Sequence, residues 1–187
     1  MPYPTQTNSE SIIKMAQELI EQEGSEQLSL ARLASKLGIK PPSLYRYIPN
    51  KATLLQAVNN FTFQQLFQSY EEAMRLSDGN AKQKLMAISR THRLFALTNP
   101  KTYILAFTTT RSEQSDDAQM LEQLVLPIQK LIATIVGLDN SLSALRGALA
   151  IVHGFVMLEI NDQFKRGGDL SEAFEASVNA YLSGWEI

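Results

Sequence analysis

Between Gln27 and Tyr70 the chain has no aspartate or glutamate, yet Arg32, Lys36, Lys40, Arg46 and Lys51 all fall inside that span. Cations without local counter-charge attract a polyanion, and a phosphate backbone is the common one. The net charge of -2 conceals this segregation, because Glu10, Glu18, Glu21, Glu23 and Glu26 precede the basic stretch and a mildly acidic remainder follows it. An ordinary solvated face mixes the two signs. The stretch also carries Tyr45 and Tyr47, and its pattern leaves both of them and Arg46 facing outward.

Other chemistry finds little support. With no cysteine there is neither disulfide nor thiolate, and His92 and His153 are the only imidazoles, so no cofactor or structural metal is expected. The adjacent pairs Glu71-Glu72 and Asp116-Asp117 diverge around a helix and make poor acid/base dyads. No Gly-rich phosphate loop, H-E-x-x-H or G-x-S-x-G element occurs, which argues against an enzyme. The N-terminus lacks the pattern of a signal peptide, and no window offers the roughly 20 apolar residues of a membrane span. A soluble, cytoplasmic, bacterial protein is expected.

The elements that position the basic stretch are helical. Ile12, Ile13, Met15, Ala16, Leu19 and Ile20 recur at helical spacing, and Gly24 ends that run. Ser29 stands at an N-cap position, Leu30, Leu33, Ala34 and Leu37 share a face, and Gly38 supplies a left-handed stop. Gly38-Ile39-Lys40 then forms a short turn into a helix opening on Pro41-Pro42, the spacing of a helix-turn-helix. Leu44 and Ile48 point inward, leaving Ser43, Tyr45, Arg46 and Tyr47 outside, until Pro49-Asn50 ends the helix and Asn50 caps the next. Lys40 and Lys51 each open a helix, against the macrodipole, at about 0.3 to 1 kcal/mol. An anion at each start would explain both.

The remainder predicts a larger helical body. A long helix from about Ala52 towards Met74 is broken by Ser77-Asp78-Gly79-Asn80. Leu85, Ile88, His92 and Phe95 mark the next helix, and Asn99-Pro100 starts a short segment with Tyr103 and Phe107. After a polar loop, Ser112 to Asp117, a helix of about Ala118 to Val136 contains Pro127, which is expected to kink or interrupt it. Ser141 to Phe164 is apolar nearly all round, with Gly147 and Gly154 suggesting close approach of another backbone, and Asp169 and Glu172 are spaced like a capping box before the final stripe. More apolar surface than one subunit covers implies a homodimer, with Gly147, Ile151, Gly154, Phe155, Leu158, Phe174, Val178 and Tyr181 as interface candidates. Phe63, Phe67, Tyr70, Phe95, Tyr103, Phe107 and His153 are candidates for lining a ligand pocket, against an alternative as plain core.

From Ile12 to about Leu55, and specifically in LSLARLASKLGIKPPSLYRYIPNKATLL with its LYRY-x-x-x-K signature, the chain resembles the TetR family of bacterial transcription regulators. RGALAIVHGFVMLEI resembles the His-Gly region of its WHG-type subgroup, although the tryptophan usual upstream is absent. The resemblance implies an all-α fold of about nine helices, a DNA-binding domain at 1–52 and a regulatory, dimerising domain at 53–187. It places Pro41, Pro42, Ser43 and Arg46 near base edges and Ser29, Tyr45, Tyr47 and Lys51 against phosphate or sugar. Lys40 departs from the Ser or Thr usual in the family, leaving open whether it reads a base or a phosphate. The implied function is a ligand-responsive regulator, a repressor, binding a palindromic double-stranded DNA operator as a dimer and released by a small, largely apolar effector. The alternatives are a regulator with no small ligand, and an all-helical enzyme or lipid carrier whose N-terminal helices are only structural.

Overall fold

The computed structural model describes residues 8–109 and 116–185, apart from the Asp116 side chain. The N-terminal lead up to Thr7, most of the polar loop expected at Ser112 to Asp117 and the Asp116-Asp117 pair therefore lie wholly or partly outside the described residues. Among the described residues there are nine α-helices, one 3-10 turn and no strand.

α1 (Ser9–Glu23) begins at a capping box: Ser11 N–H donates to Asn8 Oδ1 at 2.8 Å and Asn8 N–H donates to Ser11 Oγ at 3.1 Å. Gly24 ends it at φ +92°. After the 3-10 turn (Ser25–Gln27), Ser29 Oγ accepts the Arg32 N–H at 3.2 Å and caps α2 (Leu30–Lys36). α3 (Pro41–Tyr45) is five residues long, shorter than the sequence suggests, so Arg46 and Tyr47 sit just past its end. Asn50 Oδ1 takes the Thr53 amide at 2.8 Å and its hydroxyl at 3.1 Å, which starts α4 (Lys51–Leu76).

α5 (Ala81–Thr98), α6 (Pro100–Thr108), α7 (Asp116–Val136), α8 (Leu138–Ile160) and α9 (Leu170–Ser183) complete the chain. α7 continues through Pro127 without interruption. Asp169 caps α9 by accepting from Ser171 N–H at 2.7 Å and Glu172 N–H at 3.2 Å, but no return bond from Glu172 completes the expected box among the described bonds.

The contacts divide the chain into two compact units, Met1–Phe63 with Asn99–Thr110, and Gln64–Thr98 with Arg111–Ile187. The sequence places its boundary after Ala52. Leu54 and Val58, however, are buried in the same core as Ile12, Ile20, Leu33 and Leu44, and Leu105 of α6 packs on that core. In the second unit Arg93 on α5 donates through Nε and Nη2 to the Glu159 carboxylate of α8 at 2.7 and 2.6 Å, and through Nη1 to Ser171 Oγ of α9 at 3.1 Å. Its guanidinium lies 5.5 Å from the centre of the Phe174 ring. Arg90 pairs with Glu175 nearby.

One sequence expectation is corrected. Leu138–Ile160 is long and apolar enough, by length and composition alone, to cross a membrane, because its glycines and alanines extend the apolar run on both sides of Arg146. It packs in the second unit along one side, where Ser141, Ala144, Val152 and Val156 are buried.

Leu44→Ala is expected to cost about 2–5 kcal/mol, since Leu44 is 0% exposed and its loss opens a cavity. Urea unfolding measures this, and an unchanged midpoint would show that α3 is held by other means.

Candidate nucleic-acid interface

The turn between α2 and α3 is a Schellman motif. Ile39 N–H donates to Ala34 O at 3.0 Å and Gly38 N–H to Ser35 O at 3.1 Å, with Gly38 at φ +67°. A side chain is strained in that backbone conformation, and glycine is not. Ile39 adds the hydrophobic contact that usually accompanies the motif by packing on the core of the first unit. The turn thereby fixes the angle at which α3 leaves α2.

From Lys40 to Asn50 only Leu44 and Ile48 are buried, four residues apart, as the sequence predicts. Lys40, Pro41, Pro42, Ser43 and Arg46 are exposed, and so are Tyr45 at 54% and Tyr47 at 44%. Ser29 is exposed too; its Oγ is an acceptor for the Arg32 amide, and its hydroxyl proton is left to donate. Lys51 is half-buried. The nine candidate residues thus lie between Ser29 and Lys51, and all of them except Lys51 are exposed.

The cations divide into two sets that the sequence does not distinguish. Arg32 pairs with Glu23 of α1 at 2.5 Å. Lys51 Nζ donates to the Glu26 carbonyl at 3.4 Å, tying the 3-10 turn to the start of α4. That carbonyl is neutral, so the ammonium charge of Lys51 still stands against the helix dipole. Among the described residues no ion pair or hydrogen bond engages the side chain of Lys36, Lys40 or Arg46. Lys40, at the start of α3 with no side-chain cap bond, keeps the anomaly that an external anion would relieve.

The seven pocket candidates fall into both units. In the first, Tyr103 and Phe63 are buried, and Phe107 meets them at ring distances of 4.5 and 4.9 Å. In the second, Phe67 and Tyr70 are buried at 5.2 Å from each other, and Phe95 and His153 are half-buried. None of the seven lines the apolar crevice formed by Leu85, Ile132, Val136, Ala144, Tyr181 and Trp185 in the second unit. Tyr70 Oη lies 2.5 Å from His92 Nδ1, a buried hydrogen bond whose donor is set by the tautomer. Burial, and secondarily the nearby His153, lowers the His92 pKa to about 3, and burial lowers that of His153 as well. Burial also raises the Tyr103 phenol.

Two of the interface candidates are corrected. Phe174 and Val178 are 1% and 4% exposed within the chain itself and present no surface to a partner. Phe155 packs on Phe174 and Phe164 with ring centres 5.2 and 4.7 Å away. Gly147 lacks a side chain because the Tyr181 phenol occupies that space, donating to Ala144 O at 2.8 Å. The close approach at Gly147 is therefore to a ring of the same chain, whereas Gly154 has open space beside it. Ile151 is half-buried and Leu158 is exposed.

A buried two-helix element that presents a basic, tyrosine-bearing face defines a helix-turn-helix DNA reader, here joined to a helical body. Residues 12–58 match the model of "Bacterial regulatory proteins, tetR family", and residues 85–181 match that of "Tetracyclin repressor-like, C-terminal domain". The chain belongs to the TetR family and is a DNA-binding transcriptional regulator. It is 26% identical over 175 residues to the "Uncharacterized HTH-type transcriptional regulator YobS" of Bacillus subtilis, covering 92% of this chain and 90% of that one. A protein with unknown function from Rhodococcus sp. RHA1 has the same fold, with TM-score 0.87 and 18% identity over 100% of both chains. A TetR variant from Acinetobacter baumannii AYE, in complex with minocycline, superposes with TM-score 0.70 and 18% identity over 96% of both.

The buried pair predicts a pH dependence of stability. The folded pKa of His92 lies below the ordinary 6.5 of a free imidazole, so the unfolded chain binds the proton first and stability falls as pH drops from 6.5 towards 3. At pH 5 the loss from this group is about 2 kcal/mol relative to pH 8. Urea unfolding at the two pH values, with His92→Gln as the comparison, measures it, and an equal loss in the variant assigns the effect elsewhere.

Proposed function

We propose that the protein is a cytoplasmic repressor that binds a palindromic operator as a homodimer and is released by a small, largely apolar effector bound in its second unit. The observation that carries this is the solvent-facing, acid-free surface of Lys40, Ser43, Tyr45 and Arg46 over a buried Leu44. Tyr45 and Tyr47 with Lys51 and Ser29 hold phosphate and sugar, while Pro41, Pro42, Ser43 and Arg46 face base edges. Arg46 is suited to bidentate pairing with guanine, a contact worth about 1–3 kcal/mol of discrimination.

Dimerisation is supported by α8 and α9. Leu138, Leu142 and Leu149 share one face of α8 and are 82%, 43% and 48% exposed. α9 exposes the small residues Ala173, Ala176, Ser177 and Ala180, over which another helix can approach closely. Two copies joined there would set their recognition helices about 34–36 Å apart, one turn of the duplex. An effector that prefers a different spacing lowers operator affinity by its differential binding, typically about 1–3 kcal/mol. The minocycline bound to the Acinetobacter neighbour supports an effector site in this fold. A regulator without any small ligand is the second reading, favoured by the burial of Tyr70, His92 and Tyr103 in tight core contacts.

Selection of duplexes from a random library by the purified protein tests the assignment. An inverted repeat with half-sites about 10 base pairs apart is the expected product, and no enriched sequence would refute DNA reading. On the selected duplex, Lys40→Ala is expected to lower the salt-dependence slope by about 1, and Arg46→Ala to relax preference at one position while costing about 1–3 kcal/mol. Leu142→Glu with Leu149→Glu is expected to give a monomer by light scattering and to lose tight binding. A dimer in that variant places the interface elsewhere.

A further inference from the structure

Two acids near the end of α1 are engaged inside the first unit in different ways. The Glu21 carboxylate accepts the Lys101 and Thr102 amides at 3.1 and 3.0 Å and the Thr102 hydroxyl at 2.8 Å, so several donors of α6 fix it in place. Glu23 holds a cation instead: Arg32 Nη2 of α2 lies 2.5 Å from its Oε2, and the two side chains are 42% and 30% exposed. Solvent reaches this pair. Exposed pairs are weak, because water and salt screen them and two long side chains must be held still. A competing anion with more to offer takes Arg32 away.

The surroundings of Arg32 indicate which anion that is. Ser29 Oγ accepts the Arg32 amide at 3.2 Å, and Lys36 stands one turn further along α2, so an exposed hydroxyl, the guanidinium and an exposed ammonium follow one another along the helix. In a helix-turn-helix, the helix before the recognition helix crosses the phosphate backbone. We propose that Arg32 is a further phosphate contact of the DNA-binding surface, and that Glu23 is its internal competitor, which the duplex must displace. A guanidinium suits the exchange, since its fork of donors fits phosphate oxygens as well as it fits a carboxylate. Moving from Glu23 to a phosphate trades one ion pair for another and adds the release of counterions condensed on the duplex, which the Glu23 pair does not provide. Non-specific binding is built from such phosphate contacts, so withholding one cation weakens the hold on duplexes of any sequence. Arg32 thereby joins the nine candidate residues on the strength of the same reading, that the first unit binds DNA.

The test is Kd as a function of salt for the duplex selected by the native chain or, if no sequence is enriched, for a fixed duplex of unrelated sequence. Arg32→Gln, Arg32→Lys, Glu23→Gln and the double variant Arg32→Gln with Glu23→Gln are compared, with Lys40→Ala on the recognition helix as the control. Arg32→Gln is expected to lower the slope of log Kd against log salt by about 1, and Arg32→Lys, which keeps the charge, to preserve it. Glu23→Gln is expected to tighten binding about two- to fivefold at low salt, and by less than about 1.5-fold in the Arg32→Gln background. The double variant separates displacement of a competitor from a general loss of negative charge, which tightens binding equally in both backgrounds. An unchanged slope in Arg32→Gln beside a lowered one in Lys40→Ala overturns the Arg32 contact and leaves DNA reading standing. An unchanged slope in both, or no binding to either duplex, overturns the two together. A slope lost in Arg32→Lys, or a gain from Glu23→Gln that survives Arg32→Gln, also overturns the proposal. So does weaker binding by Glu23→Gln, the behaviour of a plain strut between α1 and α2.

Discussion

The burial of Leu44 is the contact on which the reading surface depends. A five-residue helix has too few hydrogen bonds to persist alone, since nucleation fixes several residues for each bond gained. Leu44 and Ile48 supply the missing free energy by entering the core formed by α1, α2 and the start of α4, each worth about 1.5–3 kcal/mol when fully buried. With those two side chains pointing in, Ser43, Tyr45, Arg46 and Tyr47 are left exposed. The specificity-bearing residues are thus displayed as a consequence of packing.

Electrostatics reinforces this arrangement by sorting charge before any DNA arrives. α1 ends in a run of acids, and Glu21 and Glu23 are consumed inside the unit, by the N-terminus of α6 and by Arg32. Lys51 is likewise turned back onto the Glu26 carbonyl. Of the five cations in the acid-free stretch, the side chains of Lys36, Lys40 and Arg46, around the turn and the short helix, have no ion pair or hydrogen bond with a described residue. Screening in salt leaves such exposed cations weak in the free protein, whereas a phosphate held by them releases its counterions. Of the five cations only Arg32 is offset by an opposite charge, so Lys36, Lys40, Arg46 and Lys51 all contribute to the positive field.

The sequence shows most clearly what is encoded locally. Ser29, Gly38, Asn50 and Asp169 act as the caps and stops their types predict, and the period of Leu30, Leu33 and Ala34 places α2 without ambiguity. Contacts between residues distant in the chain are illegible by the same means. Nothing near Glu21 announces Thr102, and nothing near Gly147 announces Tyr181. In hindsight both left a trace as a local rule broken without local compensation: acids at the C-terminal end of α1, and a glycine inside α8. Pro127 shows the converse, a breaker that the packing of α7 tolerates, because neighbouring contacts can outweigh one lost hydrogen bond.

α8 sets the last constraint. A helix apolar on nearly all sides must be covered on nearly all sides, and this chain covers one side only, leaving 22% of its most apolar window buried. Lipid and protein are the two media that could finish the task. Leu138, Leu142 and Leu149 share their face with Arg146 and His153, at spacings of four, seven, eight and eleven residues that recur on one side of a helix. In hydrocarbon a central arginine costs about 2.5–3.5 kcal/mol, and that cost falls on the same face as the leucines. A protein surface can offer acceptors to Arg146 while burying the leucines around it. Within the proposed dimer the partner's α8 would meet this face with its own leucines, and α9, small and flat beside it, sets how closely the two helices can approach.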